Sequence, residues 1–63
     1  MIFKVRVVVS DPAPDRFRWE IFDSSNGTLV ERAPVSFRVE NTALQAGRRA
    51  LTGFLRKRGK MET

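Results

Sequence analysis

The 63-residue chain reads as an α+β domain: a three- or four-stranded antiparallel sheet followed by one C-terminal amphipathic helix packed on one sheet face, in the order β-β-β-α. Three observations carry this reading. Apolar and polar residues alternate near the N-terminus and again around Trp19, an Asn-Gly pair separates two such runs, and beyond Asn41 the apolar period lengthens to that of a helix.

Phe3, Val5, Val7 and Val9 alternate with Lys4 and Arg6, the period of a half-buried strand, and the β-branched valines suit a pleated surface. Ser10 to Asp15 holds Asp11-Pro12 and Pro14 and reads as a loop, because proline cannot donate to a ladder and biases its predecessor away from helix. Phe17, Trp19 and Ile21 then share one face of a second strand, with Arg18, Glu20 and Phe22 on the other. Asn26-Gly27 follows as a hairpin signal. A four-residue loop, Ser24 to Gly27, sets Ile21 opposite Val30 and Phe22 opposite Leu29, and brings Glu20 beside Glu31. Pro34 interrupts the third strand, where a bulge, an edge position or a short break is expected before Val35, Phe37 and Val39 resume the alternation.

Thr42 with Gln45 forms a capping-box pattern, and Asn41 is an equally good cap one residue earlier. At about 100° per residue, Ala43, Leu44, Gly47, Ala50, Leu51, Phe54 and Leu55 fall on one arc, with Gln45, Arg48, Arg49, Thr52 and Arg56 opposite. Gly47, on the buried arc, permits a close approach to the sheet; Gly53, on the outer arc, has no such role. Arg58 returns to the apolar arc, so the helix is expected to end there with Gly59 as the residue after its cap. The division is therefore one domain, 1–63, with a meander over 1–40, a helix over 41–59 and a flexible tail over 60–63.

So short a chain buries little surface, and with no cysteine it has neither a disulfide nor a thiolate metal site to compensate. Oligomerisation is the remaining route to stability, and a homodimer is expected. A hydrophobic share of 41% with a charged share of 30% fits a folded domain. Ile2 to Val9 is too short for a signal-peptide core and is broken by Lys4 and Arg6, so the protein is expected to be cytoplasmic.

The net charge of +5 is unevenly placed. Over residues 1–40 bases and acids balance, whereas Arg48, Arg49, Arg56, Lys57, Arg58 and Lys60 are opposed beyond Asn41 by Glu62 alone. These six residues form the candidate nucleic-acid-binding set, because such a surface neutralises phosphates without regard to sequence. The same cations also suit a solvated helix end that keeps the protein soluble. Enzyme chemistry is poorly supplied: there is no His, Cys or Tyr, and the acids are scattered. Ser24 and Ser25 sit at a turn with no base to activate them, and Gly47 and Gly53 do not follow a strand as a phosphate loop requires. No catalytic residue, metal or cofactor is implied.

Phe17, Trp19, Phe37 and Phe54 point to the expected core, leaving none of them for base stacking. Ile2, Val8, Phe22 and Leu29 group on the outer sheet face and form the candidate dimer interface, a second copy being the expected partner.

At Phe17-Arg18-Trp19-Glu20-Ile21, Asn26-Gly27, Phe37 and the helix through Ala43, Ala46, Ala50 and Leu51, the chain resembles the YegP-like small domain family of unknown function, over about residues 16–55. That resemblance implies a short meander with one helix, often in tandem copies, and dimerisation of single-copy members. The N-terminal strand and the basic tail depart from the pattern. A second resemblance is to the arm-type DNA-binding domains of tyrosine recombinases, which also place three strands before a helix. It implies recognition by the sheet, with Lys4, Arg6, Arg18, Arg32 and Arg38 as candidates on a face diluted by Glu20 and Glu31. Two functions follow as expectations: a non-catalytic nucleic-acid-binding module acting through the basic helix, or a homodimeric interaction or structural module with no nucleic-acid activity.

Overall fold

The structure is a computed structural model that describes residues 2–62, with side chains over residues 2–58. Three strands, β1 (Phe3–Val9), β2 (Phe17–Asp23) and β3 (Thr28–Arg32), form an antiparallel sheet in the order β1-β2-β3. A single helix, α1 (Glu40–Glu62), follows and packs across β1 and β2 without touching β3. The expected α+β class and β-β-β-α order hold, with three strands rather than four.

The alternation of β1 has the expected consequence. Seven consecutive pairs run from Phe3 opposite Asp23 to Val9 opposite Phe17. Phe3 and Val5 face the helix and pack on a small buried cluster of Trp19, Ile21 and Ala33, to which Phe37, Ala46, Ala50, Leu51 and Phe54 add. Lys4, Arg6 and Val8 then share the opposite, open face with Phe22, Glu20 and Arg18, because cross-strand partners point the same way.

The β2–β3 hairpin closes with the four-residue loop. Gly27 alone takes a left-handed conformation, φ 74°, and its amide donates to the Asp23 carbonyl at 2.7 Å. Phe22 lies opposite Leu29 as the loop length requires, but Ile21 then pairs with Glu31 rather than Val30, and Glu20 with Arg32 rather than Glu31. A bulge between the Ile21 and Phe22 pairs takes up Val30 as the extra residue. The physical gain is clear: the expected register opposes two carboxylates, whereas the bulged one sets a carboxylate against a guanidinium.

Pro34 produces a break. β3 stops at Arg32, and of the expected continuation Phe37 alone rejoins the sheet, in an isolated bridge with Phe17, while Val35 and Val39 are exposed. The helix then begins one residue before the expected caps. The Ala43 amide donates to the Val39 carbonyl at 3.1 Å, so Asn41 and Thr42 lie inside the first turn. Glu40 places a carboxylate at the positive end of the helix dipole, which favours this earlier start. At the other end α1 runs through Gly59 to Glu62, so Gly59 does not terminate it and residues 60–62 are helical rather than a tail. The helix-favouring Lys60, Met61 and Glu62 offset the cost of one glycine.

Two acids pin the loops. Asp11 accepts a hydrogen bond from Arg18 Nε at 2.6 Å, and that bond, ahead of any other influence, holds its carboxyl below the usual 3.8. Asp23 accepts from the Ser25 hydroxyl and amide, which lower it likewise. A carboxyl depressed in the folded state contributes stability that is complete above its unfolded value and is lost as pH falls through its folded one. Thermal stability is therefore expected to be flat from pH 7 to about 5 and to drop below about pH 4. In Asp11→Asn, scanned calorimetrically beside the wild type, the part of that acid dependence due to Asp11 should vanish.

Candidate nucleic-acid interface

The six cations nominated by the sequence do not form one surface. Gly47 marks the line along which α1 touches the sheet: its backbone abuts Val5 and Trp19. Around the helix from that line Arg49 and Arg56 lie about half a turn away and Arg48 about 100°, and all three are exposed. Between them Thr52 donates its hydroxyl to the Arg48 carbonyl at 3.1 Å, so no bulky side chain separates the arginines. Among the described residues none of these three forms an ion pair. The outward face of α1 is thus a short row of unneutralised guanidinium groups.

Lys57 and Arg58 go elsewhere. Because α1 stops short of β3, a groove of about 340 Å³ runs between them, lined by Trp19, Glu31, Pro34, Ala50, Gly53, Phe54 and Lys57. The bulge that removed Glu31 from the open sheet face delivers it here, to the groove that Lys57 also lines. Arg58 folds back toward the sheet, with its guanidinium carbon 5.0 Å from the centre of the Phe3 ring and 5.9 Å from that of Phe54. Those two rings meet edge to face at 5.0 Å, so Arg58 caps an aromatic pair at the end of the core. The side chain of Lys60 lies outside the described residues.

The open face of the sheet is a second basic surface. Glu20 sits at its centre, nearly buried, and accepts from Arg6 Nε at 2.9 Å, with Arg32 Nε 3.7 Å from its other oxygen. Arg18 is held by Asp11 and also donates to the Ala33 carbonyl at 2.8 Å. Lys4 completes the face, while Arg38 lies outside the strands, beyond the Phe37 bridge. With Glu31 removed to the groove, this face is less diluted than its sequence implies, but its arginines are engaged within the protein.

Glu20 is expected to matter for stability more than for charge. Glu20→Gln leaves Arg6 and Arg32 without their carboxylate, but both are about half exposed, so the loss should be only about 1–2 kcal/mol. Urea unfolding measures it directly. An unchanged midpoint would mean that the triad is merely superficial.

The four residues nominated for a dimer interface are also split. Ile2 and Leu29 are exposed, at 62% and 47%, whereas Val8 and Phe22 are half-buried. The Arg6 guanidinium lies over the Phe22 ring, 4.7 Å from its centre. A cation stacked on its largest member makes this face a poor apolar patch.

Among the described residues no helix is long and apolar enough to cross a membrane. No protein-family model, curated protein or solved structure matches this chain, so its functional reading rests on the surfaces described above.

Proposed function

We propose that this domain is a non-catalytic nucleic-acid-binding module that contacts the phosphate backbone through Arg48, Arg49 and Arg56 on the outward face of α1. The supporting observation is the contrast between two sets of arginines. Arg6, Arg18 and Arg32 are hydrogen-bonded or ion-paired to Glu20 and Asp11, whereas the three helix arginines are exposed and free of such pairs among the described residues. Engaged cations must give up a protein partner to meet a phosphate; free ones give up only water and counterions. Lys57 adds charge at the rim of the groove, whose lining also includes Glu31. Arg58 lies over the Phe3 and Phe54 rings on the sheet side of the helix, apart from these three arginines.

The contact is to phosphate and so carries no base sequence information. With three phosphates neutralised, affinity for duplex DNA should fall with the logarithm of salt with a slope of about −3. Fluorescence anisotropy with labelled duplex and single-stranded DNA and RNA of mixed sequence, across a salt series, measures this. Absence of binding at low ionic strength would refute the proposal.

A further inference from the structure

A three-stranded sheet has two edges, and here they differ. β3 is a protected edge: five residues long, kinked by the bulge and followed, after Ala33, by Pro34. β1 is not. It runs seven residues without bulge or proline, in unbroken register with β2. The bonds at its two ends show which of its backbone groups are spent. Ser24 donates its amide to the Ile2 carbonyl and Ser10 to the Arg16 carbonyl, so the even-numbered residues of β1 direct their N–H and C=O groups toward β2. By the alternation of an antiparallel ladder, Phe3, Val5, Val7 and Val9 direct theirs outward from the edge.

We infer that β1 pairs antiparallel with β1 of a second copy, across a two-fold axis at Val7, to give a continuous six-stranded sheet. Self-pairing is favoured over another extended partner because one register of this strand is complementary to itself. A two-fold axis normal to the sheet keeps helix-facing residues opposite helix-facing residues. Centred on Val5 it would oppose Lys4 to Arg6 of the partner, and centred on Arg6 it would oppose the two arginines. Centred on Val7 it sets Val5 opposite the partner's Val9, Val7 opposite the partner's Val7, and Arg6 opposite the partner's Val8. This is the longest register in which no cation of β1 stands directly opposite another; the two Arg6 side chains become diagonal neighbours, each held by the Glu20 of its own chain. All three helix-facing valine pairs then exchange backbone bonds, and Val9, 66% exposed in the single chain, gains an apolar neighbour.

The helix permits the approach. α1 packs on the face of the sheet over β1 and β2, and among the described residues no strand pairs with the outer edge of β1. The need is evident in the core, whose buried apolar residues among those described are Trp19, Ile21, Ala33 and Ala43. This pairing goes beyond the phosphate contact and does not rest on it. It also differs from association through the open sheet face.

Sedimentation equilibrium from low to high micromolar concentration should show a dimer at the upper end. Because the chain has no cysteine, Val7→Cys introduces a single thiol, and the paired Cα atoms would lie about 5.5 Å apart, within disulfide range. Mild oxidation should give a covalent dimer from Val7→Cys and far less from Val30→Cys on β3. Val8→Lys, which sets a second cation against the partner's Arg6 on both sides of the axis, should weaken association about tenfold, and Phe22→Glu should leave it within about twofold. Should Val7→Cys fail to fold, hydrogen exchange of the unmodified protein answers the same question: the amides of Val5, Val7 and Val9 should be protected in the dimer and unprotected on dilution. A monomer throughout, or a dimer dissociated by Phe22→Glu with those amides unprotected, would overturn the inference.

Discussion

Gly47→Ala should lower the melting temperature by on the order of 10 °C, whereas Gly53→Ala, six residues along the same helix, should raise it. A methyl group on Gly47 would lie 2.6 Å from Val5 Cγ1 and 2.7 Å from Trp19 Cβ. The valine methyl could rotate away, but the tryptophan Cβ is fixed to the backbone of the central strand. Helix and sheet must therefore separate along the line where both β1 and β2 meet α1. Overpacking of this kind costs about 1–3 kcal/mol, and the better helix propensity of alanine returns about 1. The net loss, up to about 2 kcal/mol, is a large part of what so small a core supplies. At Gly53 an added methyl would meet nothing within 4 Å, so the propensity gain of about 1 kcal/mol stands alone. Calorimetry of the two variants measures the contrast, and a neutral Gly47→Ala would mean that α1 does not approach the sheet this closely.

Replacing Arg48, Arg49 and Arg56 together by alanine should reduce affinity for duplex DNA about a hundredfold at low salt and remove most of its salt dependence. The fold should survive, because all three side chains are exposed and alanine is the better helix former. Arg18→Ala provides the opposite case. Its guanidinium is tied to Asp11 and to the Ala33 carbonyl, so its loss should cost stability and leave affinity within about twofold. Anisotropy and urea unfolding on both variants separate the two effects. Equal losses of affinity in the two would place the contact on the sheet instead.

Much of the fold was legible because the strongest local signals agreed with the tertiary arrangement. The alternation of β1 and β2 named the helix-facing side, the Asn26-Gly27 turn placed the hairpin, and Gly47 could be assigned to close approach from its place on the apolar arc of α1, although Val9 on β1 and Leu55 on that arc stay exposed, at 66% and 48%. What escaped were features decided by pairing. The bulge at Val30 has no local signature; it follows from the competition between loop length and the repulsion of Glu20 by Glu31. It moved Glu31 to the helix side and Arg32 to the open face, which changed the charge of both. The helix ends escaped for a similar reason: Asn41 and Thr42 are good caps, but an earlier start at Glu40 satisfies the dipole, and Gly59 did not suffice to stop a helix followed by good helix formers.

The candidate site was legible in composition but not in geometry. Sequence placed the excess charge on α1 correctly. The helical arc separated Arg48, Arg49 and Arg56 from Arg58, whose return to the sheet side the period already implied. That Lys57 and Glu31 line one groove could not be read, since it depends on the bulge and on the helix stopping short of β3.

The most direct measurement is an NMR titration of the isotopically labelled protein with a short mixed-sequence duplex at low salt. The expected result is a set of shift changes centred on the amides of Arg48, Arg49, Thr52 and Arg56, reversed by added salt. No change at low salt, or changes confined to Lys4, Arg6, Arg18 and Arg32 on the open sheet face, would contradict the assignment of the interface to the outward face of α1.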